Sequence, residues 1–331
     1  MSVNLLNEES VIPYLKSRGV IARDEEATVE ILAGGVSNVV LAIQTATKDM
    51  VLKQALAELK VATKWVVDQR RAIVEAHAIE VFHAISPKQV PALIDYDPEL
   101  FTLVLERVPR TSTVWKSDLL EGNIQPEIGE KLGHTLAMWH NHAAKSPALQ
   151  EKFSEDSLFE QLRIDPFYRT VASKNPDLSP CILKLVNELK SNKTTLVHGD
   201  FSPKNIMVYH DRDIYILDFE VTHTGNPVFD LAFLTAHLLC KYFRAQNQRE
   251  CDLLRFTAQS FLSAYKDAAD VQPATSLAWH SALIALARVE GTSLVNYLDE
   301  SAQLALAQRC KRALASQSPL ELMYLFTKES K

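Results

Sequence analysis

A two-part α+β chain is what the sequence predicts: a small antiparallel sheet with one main helix, followed by a larger, mainly helical part. Three observations carry that expectation. Between residues 28 and 107, apolar and β-branched residues recur at alternate positions in short runs, the period of a half-buried strand. From about residue 126 onward they recur every three or four positions, the period of an amphipathic helix. One stretch inside that helical region, residues 196 to 220, reverts to alternation.

Taken in order, ATVEILAGG reads as a strand running into a glycine turn, NVVLAIQT as a second strand and DMVLKQAL as a third. The run WVVDQRRAIVEAHAIEVFHAIS has helical spacing at Ile73, Ala76, Ile79 and Ala84 and stops at Ser86-Pro87, because proline disfavours helix for the residue before it. FTLVLERVP supplies another strand, and the polar PRTSTVWKSDLLEGNIQP after it marks a boundary near Val108 to Ser112. The expected division is therefore 1–108 and 109–331. Beyond it, PEIGEKLGHTLAMWHNHAA, SPCILKLVNELKS, NPVFDLAFLTAHLLCKYF, RECDLLRFTAQSFLSAYKDA and two stretches from Ser276 onward read as helices. In LVHGDFSPKNIMVYHDRDIYILDFE (Leu196 to Glu220), KNIMVY and IYILDFE alternate like two short strands turning at Asp211-Arg212-Asp213. An isolated hairpin among helices usually serves a site.

Composition narrows the function. The chain has 331 residues, 47% of them hydrophobic and 23% charged, the balance of an ordinary globular protein long enough for two cores. A formal charge of −6 and a pI near 6.0 argue against a nucleic-acid partner, which would need a basic face. No basic-then-apolar leader opens the chain, and no window approaches the ~18–20 apolar residues of a membrane span, so a cytoplasmic protein without a membrane partner is expected. Cys181, Cys240, Cys251 and Cys310 lack metal-ligand spacing and read as reduced thiols. His140 and His142, two apart on a helix, face different sides and cannot share a metal. Packing or a satisfied hydrogen bond is the expected role.

The hairpin gathers oxygen-bearing side chains: Asp200 after His198-Gly199, Asn205 in the following turn, and Asp218 at the far strand end. A phosphoryl transfer needs an oriented, deprotonated hydroxyl and a hard cation bridging phosphate oxygens. Asp200 suits the first requirement, and Asn205 with Asp218 suits the second. Lys53 sits alone among apolar strand residues and needs a partner if buried. Glu75 on the next helix is the expected one, with Glu58 and Glu80 as competitors.

This order of parts resembles the aminoglycoside phosphotransferase and choline kinase-like family, small-molecule kinases of protein-kinase-like fold. The resemblance runs from about Leu32 to Tyr297. It is densest at HGDFSPKN (198–205) and LDFE (217–220), clear at GNPVFDLA and LAMWH, and slighter at GGVSN. It implies a nucleotide-binding lobe over 1–108 and a helical lobe over 109–331 carrying the catalytic loop, with ATP and Mg2+ as cofactors and a small-molecule acceptor. Asp200 is then the catalytic base, Asn205 and Asp218 the metal ligands, and Lys53 with Glu75 the phosphate-binding pair. Gly35, Ser37 and Asn38 would meet phosphate oxygens, and Glu106 and Val108 would read the adenine edge. His198 and Asp230 would tie the catalytic loop to the helix VFDLAFL.

Departures matter too. Ser202 stands where many relatives have His, Glu220 where protein kinases have Gly, and Lys204, beside Asn205, reads as solvent-facing. No HRD loop or Ala-Pro-Glu segment is present, which disfavours a protein kinase. For the acceptor, Ser202, Glu220, Asp165, Tyr168 and Arg288 are the candidates. Converging carboxylates would suit amino sugars or amino alcohols, and arginines a phosphorylated, carboxylated or sugar acceptor. A pseudokinase or scaffold, and an atypical protein kinase, stay open as alternatives, as does monomer against homodimer.

Overall fold

Alternation in the first third of the chain produces one five-stranded sheet. The structure, a computed structural model, describes residues 4–32, 37–58, 66–210 and 212–327. Contacts divide the chain into two units: Met1–Ser112 with Tyr215–Glu220, and Thr113–Ile214 with Val221–Lys331.

In the first unit, helix α1 (Val11–Ser17) precedes strands β1 (Thr28–Ile31), β2 (Asn38–Gln44) and β3 (Asp49–Ala55), then helix α2 (Arg71–Ile85) and strands β4 (Leu93–Asp97) and β5 (Thr102–Glu106). The sheet order is β1-β2-β3-β5-β4, antiparallel throughout. Leu41, Ile43, Leu52 and Val104 share a core with Val11 and Leu15 of α1. Successive strand residues face opposite sides, so Lys53 points away from that core. Helix α2 packs on the sheet and buries Glu75, Ala76, Ile79 and Phe82. It ends where expected, with Ser86 out of the helical region at φ −141°, ψ 69° before Pro87. Two elements emerge that sequence reasoning did not single out, α1 and β4. LIDYD carries two aspartates, a residue depleted in strands, and β4 is a half-buried edge strand with a register irregularity between Leu93 and Asp95.

Residues 215–220 belong with this first unit. Phe219 stacks on Phe82 with centroids 5.3 Å apart, and the Ile216 amide donates to Gln89 O at 2.7 Å. Asp218 between them has φ +71°, a left-handed conformation uncommon for a residue with a Cβ.

The second unit runs β6 (Thr113–Val114), α3 (Trp115–Glu121), α4 (Pro126–Ala144), α5 (Pro147–Lys152) and α6 (Ser157–Phe159), followed by a π-helical segment, Glu160–Arg169. Then come α7 (Thr170–Lys174), α8 (Ser179–Ser191), β7 (Thr195–Val197), β8 (Ile206–Tyr209), β9 (Asp213–Ile216), β10 (His223–Gly225), α9 (Val228–Arg244), α10 (Gln248–Ala268), α11 (Leu277–Glu290) and α12 (Glu300–Leu314). β10 pairs with β7, and β6, β8 and β9 form a three-stranded sheet. Helix α9 is buried from Val228 to Phe243, as expected of a helix apolar all round, and α10, α11 and α12 pack on it. α4 lies close on α10, because a Cβ on Gly133 would sit 2.2 Å from Phe261 O. His140 of α4 is buried and bonded on both ring nitrogens, to Tyr265 Oη and Asp230 Oδ2. Among the described residues no helix is long and apolar enough to cross a membrane.

Candidate active site

Strand parity and the α2 register together place a lone lysine against two acids. Lys53 Nζ lies 2.6 Å from Glu75 Oε1 and 3.0 Å from Asp218 Oδ1. Of the glutamates that competed in sequence for this position, Glu75 is the one that reaches it. Burial pulls the Lys53 pKa down, but Asp218 and Glu75 more than offset that and hold the ammonium well above its ordinary range. A second pair lies alongside: Arg71, almost fully buried, donates through Nε to Glu220 Oε2 at 3.1 Å. Its Nη2 ties down the backbone at Ser37 O (2.7 Å) and Leu56 O (2.8 Å). Glu75, Asp218 and Glu220 can bring one oxygen each within 4.8 Å of one another. Burial, helped by the Asp218 charge, pushes the Glu220 carboxyl up to about 7 against the pull of Arg71.

The second unit holds Asp200 by a different device. Gly199 has φ +74°, and a Cβ there would lie 2.6 Å from Val221 O, so the turn before Asp200 admits glycine alone. The fully buried Asp230 clamps this turn, accepting from the His198 amide at 2.7 Å and the Gly199 amide at 2.9 Å. Burial would raise the Asp230 pKa, but the hydrogen bond and charge of His140, with the His198 contacts, bring it below the ordinary carboxylate range. His198 Nδ1 accepts the Asp200 amide at 3.1 Å. The Asp200 carboxylate meets three donors: Asn205 Nδ2 at 2.8 Å, Arg163 Nη2 at 3.1 Å and Lys204 Nζ at 2.7 Å. Asn205 Nδ2 also donates to Asp200 O at 3.0 Å, so the amide is oriented by its nitrogen and turns its carbonyl oxygen away.

Two of these donors were not anticipated. Lys204, read from sequence as solvent-facing, folds back onto Asp200 although half its side chain stays exposed. Arg163 sits on the π-helical segment, whose wider turns often mark functional sites. Its Nε also donates to Gly199 O at 2.6 Å. The only sequence signal was Pro166 inside a helical pattern, which removes a backbone donor and loosens the ordinary i to i+4 register.

The remaining candidates scatter. Gly35 lies outside the described residues. Ser37 Oγ accepts from Asn38 Nδ2 at 3.0 Å, and Asn38 is buried at the start of β2. The Glu106 amide donates to Ala92 O at 2.9 Å, and Val108 follows in the extended segment after β5. Ser202 is fully buried and its hydroxyl has no hydrogen-bond partner among the described residues. Tyr168 is buried with its hydroxyl on His280 Nδ1 at 2.9 Å, and Asp165 pairs with Arg169 on the surface. Neither Tyr168 nor Asp165 is brought to Asp200. Glu220 is engaged by Arg71, and Arg288 lines a pocket described below.

Residues 28–270 match the family described as "Phosphotransferase enzyme family". The chain belongs to that family. A methylthioribose kinase of Bacillus cereus (strain AH820) is similar at 25% identity over 278 residues, covering 74% of this chain and 68% of its own. Among solved structures, a choline/ethanolamine kinase family protein from Mesorhizobium loti shares the fold with a TM-score of 0.56 at 14% identity, covering 96% of this chain and 97% of that one. A macrolide 2'-phosphotransferase from Brachybacterium faecium does so at 0.53 and 17% identity, covering 97% and 100%. The expected kinase-like α+β fold is the one observed, and membership of the phosphotransferase family makes the chain an enzyme of the kinase type.

Proposed function

We propose that this phosphotransferase moves the γ-phosphoryl group of ATP to a hydroxyl of a small-molecule acceptor, with Mg2+. The observation that carries the reading is the partly buried Lys53, held charged between Glu75 and Asp218 at 2.6 and 3.0 Å. A strand lysine paired with a helix glutamate is the arrangement by which kinases present a cation to nucleotide phosphates. In this reading Lys53 meets the phosphates, Glu75 positions it, and Ser37 and Asn38 line their path. Glu106 and Val108 offer backbone groups to the adenine.

Asp200 is the group that orients the acceptor hydroxyl and takes its proton. Its placement is fixed from three sides, by the Asp230 clamp behind it, Arg163 beside it and Asn205 in front. Asn205 and Asp218 are the residues that would hold Mg2+. An amide carbonyl and a carboxylate are hard oxygen donors, few enough to leave the ion several waters, which fits that cation. When bound, the ion neutralises charge on the phosphate oxygens. The similarity to a methylthioribose kinase and the absence of protein-kinase motifs favour a small-molecule acceptor.

The test is ADP release from MgATP across a panel of sugars, hydroxy acids, sugar phosphates, amino sugars and amino alcohols, with Asp200→Asn run in parallel. Turnover lower by at least ~10²-fold, the lower end for loss of a general base, with MgATP affinity retained, is the expected result. Full turnover in Asp200→Asn removes this assignment of the base.

A further inference from the structure

The second unit contains a pocket of about 70 Å³ to which three helices and a turn contribute basic side chains, with the neutral stretch Leu294 to Tyr297 completing the wall. Lys116 comes from the first turn of α3, Lys204 from the turn after Asp200, and His237 and Lys241 from successive turns of α9. Arg288 comes from the last turn of α11, and Tyr297 closes the pocket from the loop beyond it. Among the described residues that line it there is no aspartate or glutamate.

The basic groups are poorly neutralised within the protein. Lys241 is 2% exposed, and its Nζ has one long hydrogen bond, 3.3 Å to His237 O. Arg288 Nη1 donates to Ser293 Oγ at 2.7 Å, while its Nε is buried with no partner among the described residues. The Tyr297 hydroxyl is likewise buried and unpartnered. The compensation present is aromatic: Lys241 and Lys116 lie 5.2 and 5.8 Å from the Tyr297 ring centroid, and Arg288 lies 5.7 Å from that of Phe167. Such contacts are weaker than a carboxylate pair, and an unpaired buried cation is costly. Five separate pieces of chain therefore converge on a site whose missing component is negative charge.

We infer that this pocket receives an oxyanion, a carboxylate or a phosphate monoester, and that the oxyanion belongs to the acceptor. The second part rests on the kinase reading above. Position supports it, because Lys204 lines the pocket and also lies 2.7 Å from Asp200 Oδ2. An anion seated there stands one lysine away from the carboxylate that would orient the hydroxyl. Size permits it as well, since a volume of about 70 Å³ has room for an oxyanion head group. An amine in the same place would meet the like charge of Lys116 and Arg288. Desolvation, with the neighbouring Lys116 and Arg288, drives the Lys241 ammonium down to about 7, and a bound anion would draw its proton back.

The experiment pairs binding with turnover. Calorimetry would measure inorganic phosphate, a pentose 5-phosphate against the free pentose, and a hydroxy acid against the matching amino alcohol, on the intact protein and on Lys241→Met and Arg288→Gln. ADP release from MgATP would be followed for the same compounds. The expected result is binding of the anionic member of a pair at least tenfold tighter than its neutral or cationic partner. That advantage should fall at least tenfold in each variant, with no loss of melting temperature and with MgATP affinity retained. A preference for the phosphate arm or the carboxylate arm identifies the source of the oxyanion, and either supports the inference. Equal binding within both pairs, tighter binding of the amine, or anion binding indifferent to both substitutions overturns it. Phosphorylation of neutral or amino acceptors without anion binding would sink this inference and leave the kinase standing. Variant-sensitive anion binding without ADP release from any compound would overturn the acceptor assignment together with the kinase reading.

Discussion

Two lysines drawn out of solvent, Lys53 partly and Lys241 almost wholly, live in opposite electrostatic settings. Lys53, in the first unit, stands between Glu75 and Asp218, with Glu220 and its partner Arg71 close by. Its charge is matched by the protein. Lys241, in the second unit, shares its pocket with Lys116, Lys204 and Arg288 and has no carboxylate among the lining residues. Its charge meets an aromatic face and one long hydrogen bond to His237 O. Burial acts on both lysines in the same direction, so the difference comes from neighbours: one is held charged and the other is pushed to about 7. The first cluster is complete without a ligand, as a site that must keep its geometry between turnovers should be. The second is incomplete, as a site that selects a ligand by charge should be.

The largest effect is expected from breaking the complete cluster. Lys53→Met removes the cation proposed to meet the phosphates and leaves Glu75 and Asp218 without their common partner. Loss of one such electrostatic group costs on the order of 10²–10³ in turnover, and breaking a buried pair from one side costs about 3–5 kcal/mol. Steady-state kinetics and thermal unfolding would both register it. A Lys53→Met protein with unchanged kcat/KM and melting temperature would mean that the ion triad is ornamental.

Asp230 tests a third arrangement, a buried acid satisfied chiefly by backbone. Asp230→Ala strips the acceptor from the His198 and Gly199 amides, and each buried orphan donor costs about 1–3 kcal/mol. Lower stability by a few kcal/mol is expected, together with a fall in kcat larger than any change in KM for MgATP, because the loop that loses its clamp carries Asp200. Denaturant titration and kinetics on the same preparation separate the two effects.

These comparisons also show where sequence was informative. Lys53 and Glu75 were legible because strand alternation fixed the side on which the lysine emerges and the next helix offered few acids. Asp200 and Asn205 stood out because a hairpin among helices is conspicuous, and their side chains meet at 2.8 Å. Arg163 was not, since LRIDPFYR offers two arginines and the one that meets Asp200 is selected by π-helical turns that a 3.6-residue period does not describe. Tyr168, named as an acceptor candidate, is instead buried with its hydroxyl on His280. Lys241 and His237 went unnoticed although a signal was present: two basic groups one turn apart on a helix otherwise apolar on every side. Such groups gain meaning only when Lys116, Lys204 and Arg288 arrive from distant parts of the chain. β4 was hidden by Asp95 and Asp97, which an exposed edge tolerates and a strand pattern does not advertise.

The smallest expected effect is the one that sharpens the comparison most, the pH dependence of stability carried by Lys241. Its folded pKa is near 7 against an ordinary 10.5, so between those values the unfolded chain binds more protons than the folded one. Stability from this group is therefore fully present above about 10.5 and is lost as pH falls through about 7. The groups that act on it are Cys240 on its own helix, with Lys116, Arg288 and Arg244; of these Lys116 comes from α3 and Arg288 from α11. Lys241→Met keeps the length and removes the titration. Its melting temperature should exceed that of the unsubstituted protein at pH 6 by roughly 2–4 °C per kcal/mol relieved, and the advantage should shrink toward pH 9. Added inorganic phosphate should narrow the gap at pH 6 from the other side, by stabilising the unsubstituted protein alone. Parallel melting curves for the two proteins from pH 6 to 9 would show that Lys241 is neutralised by the protein after all, and the contrast with Lys53 would collapse.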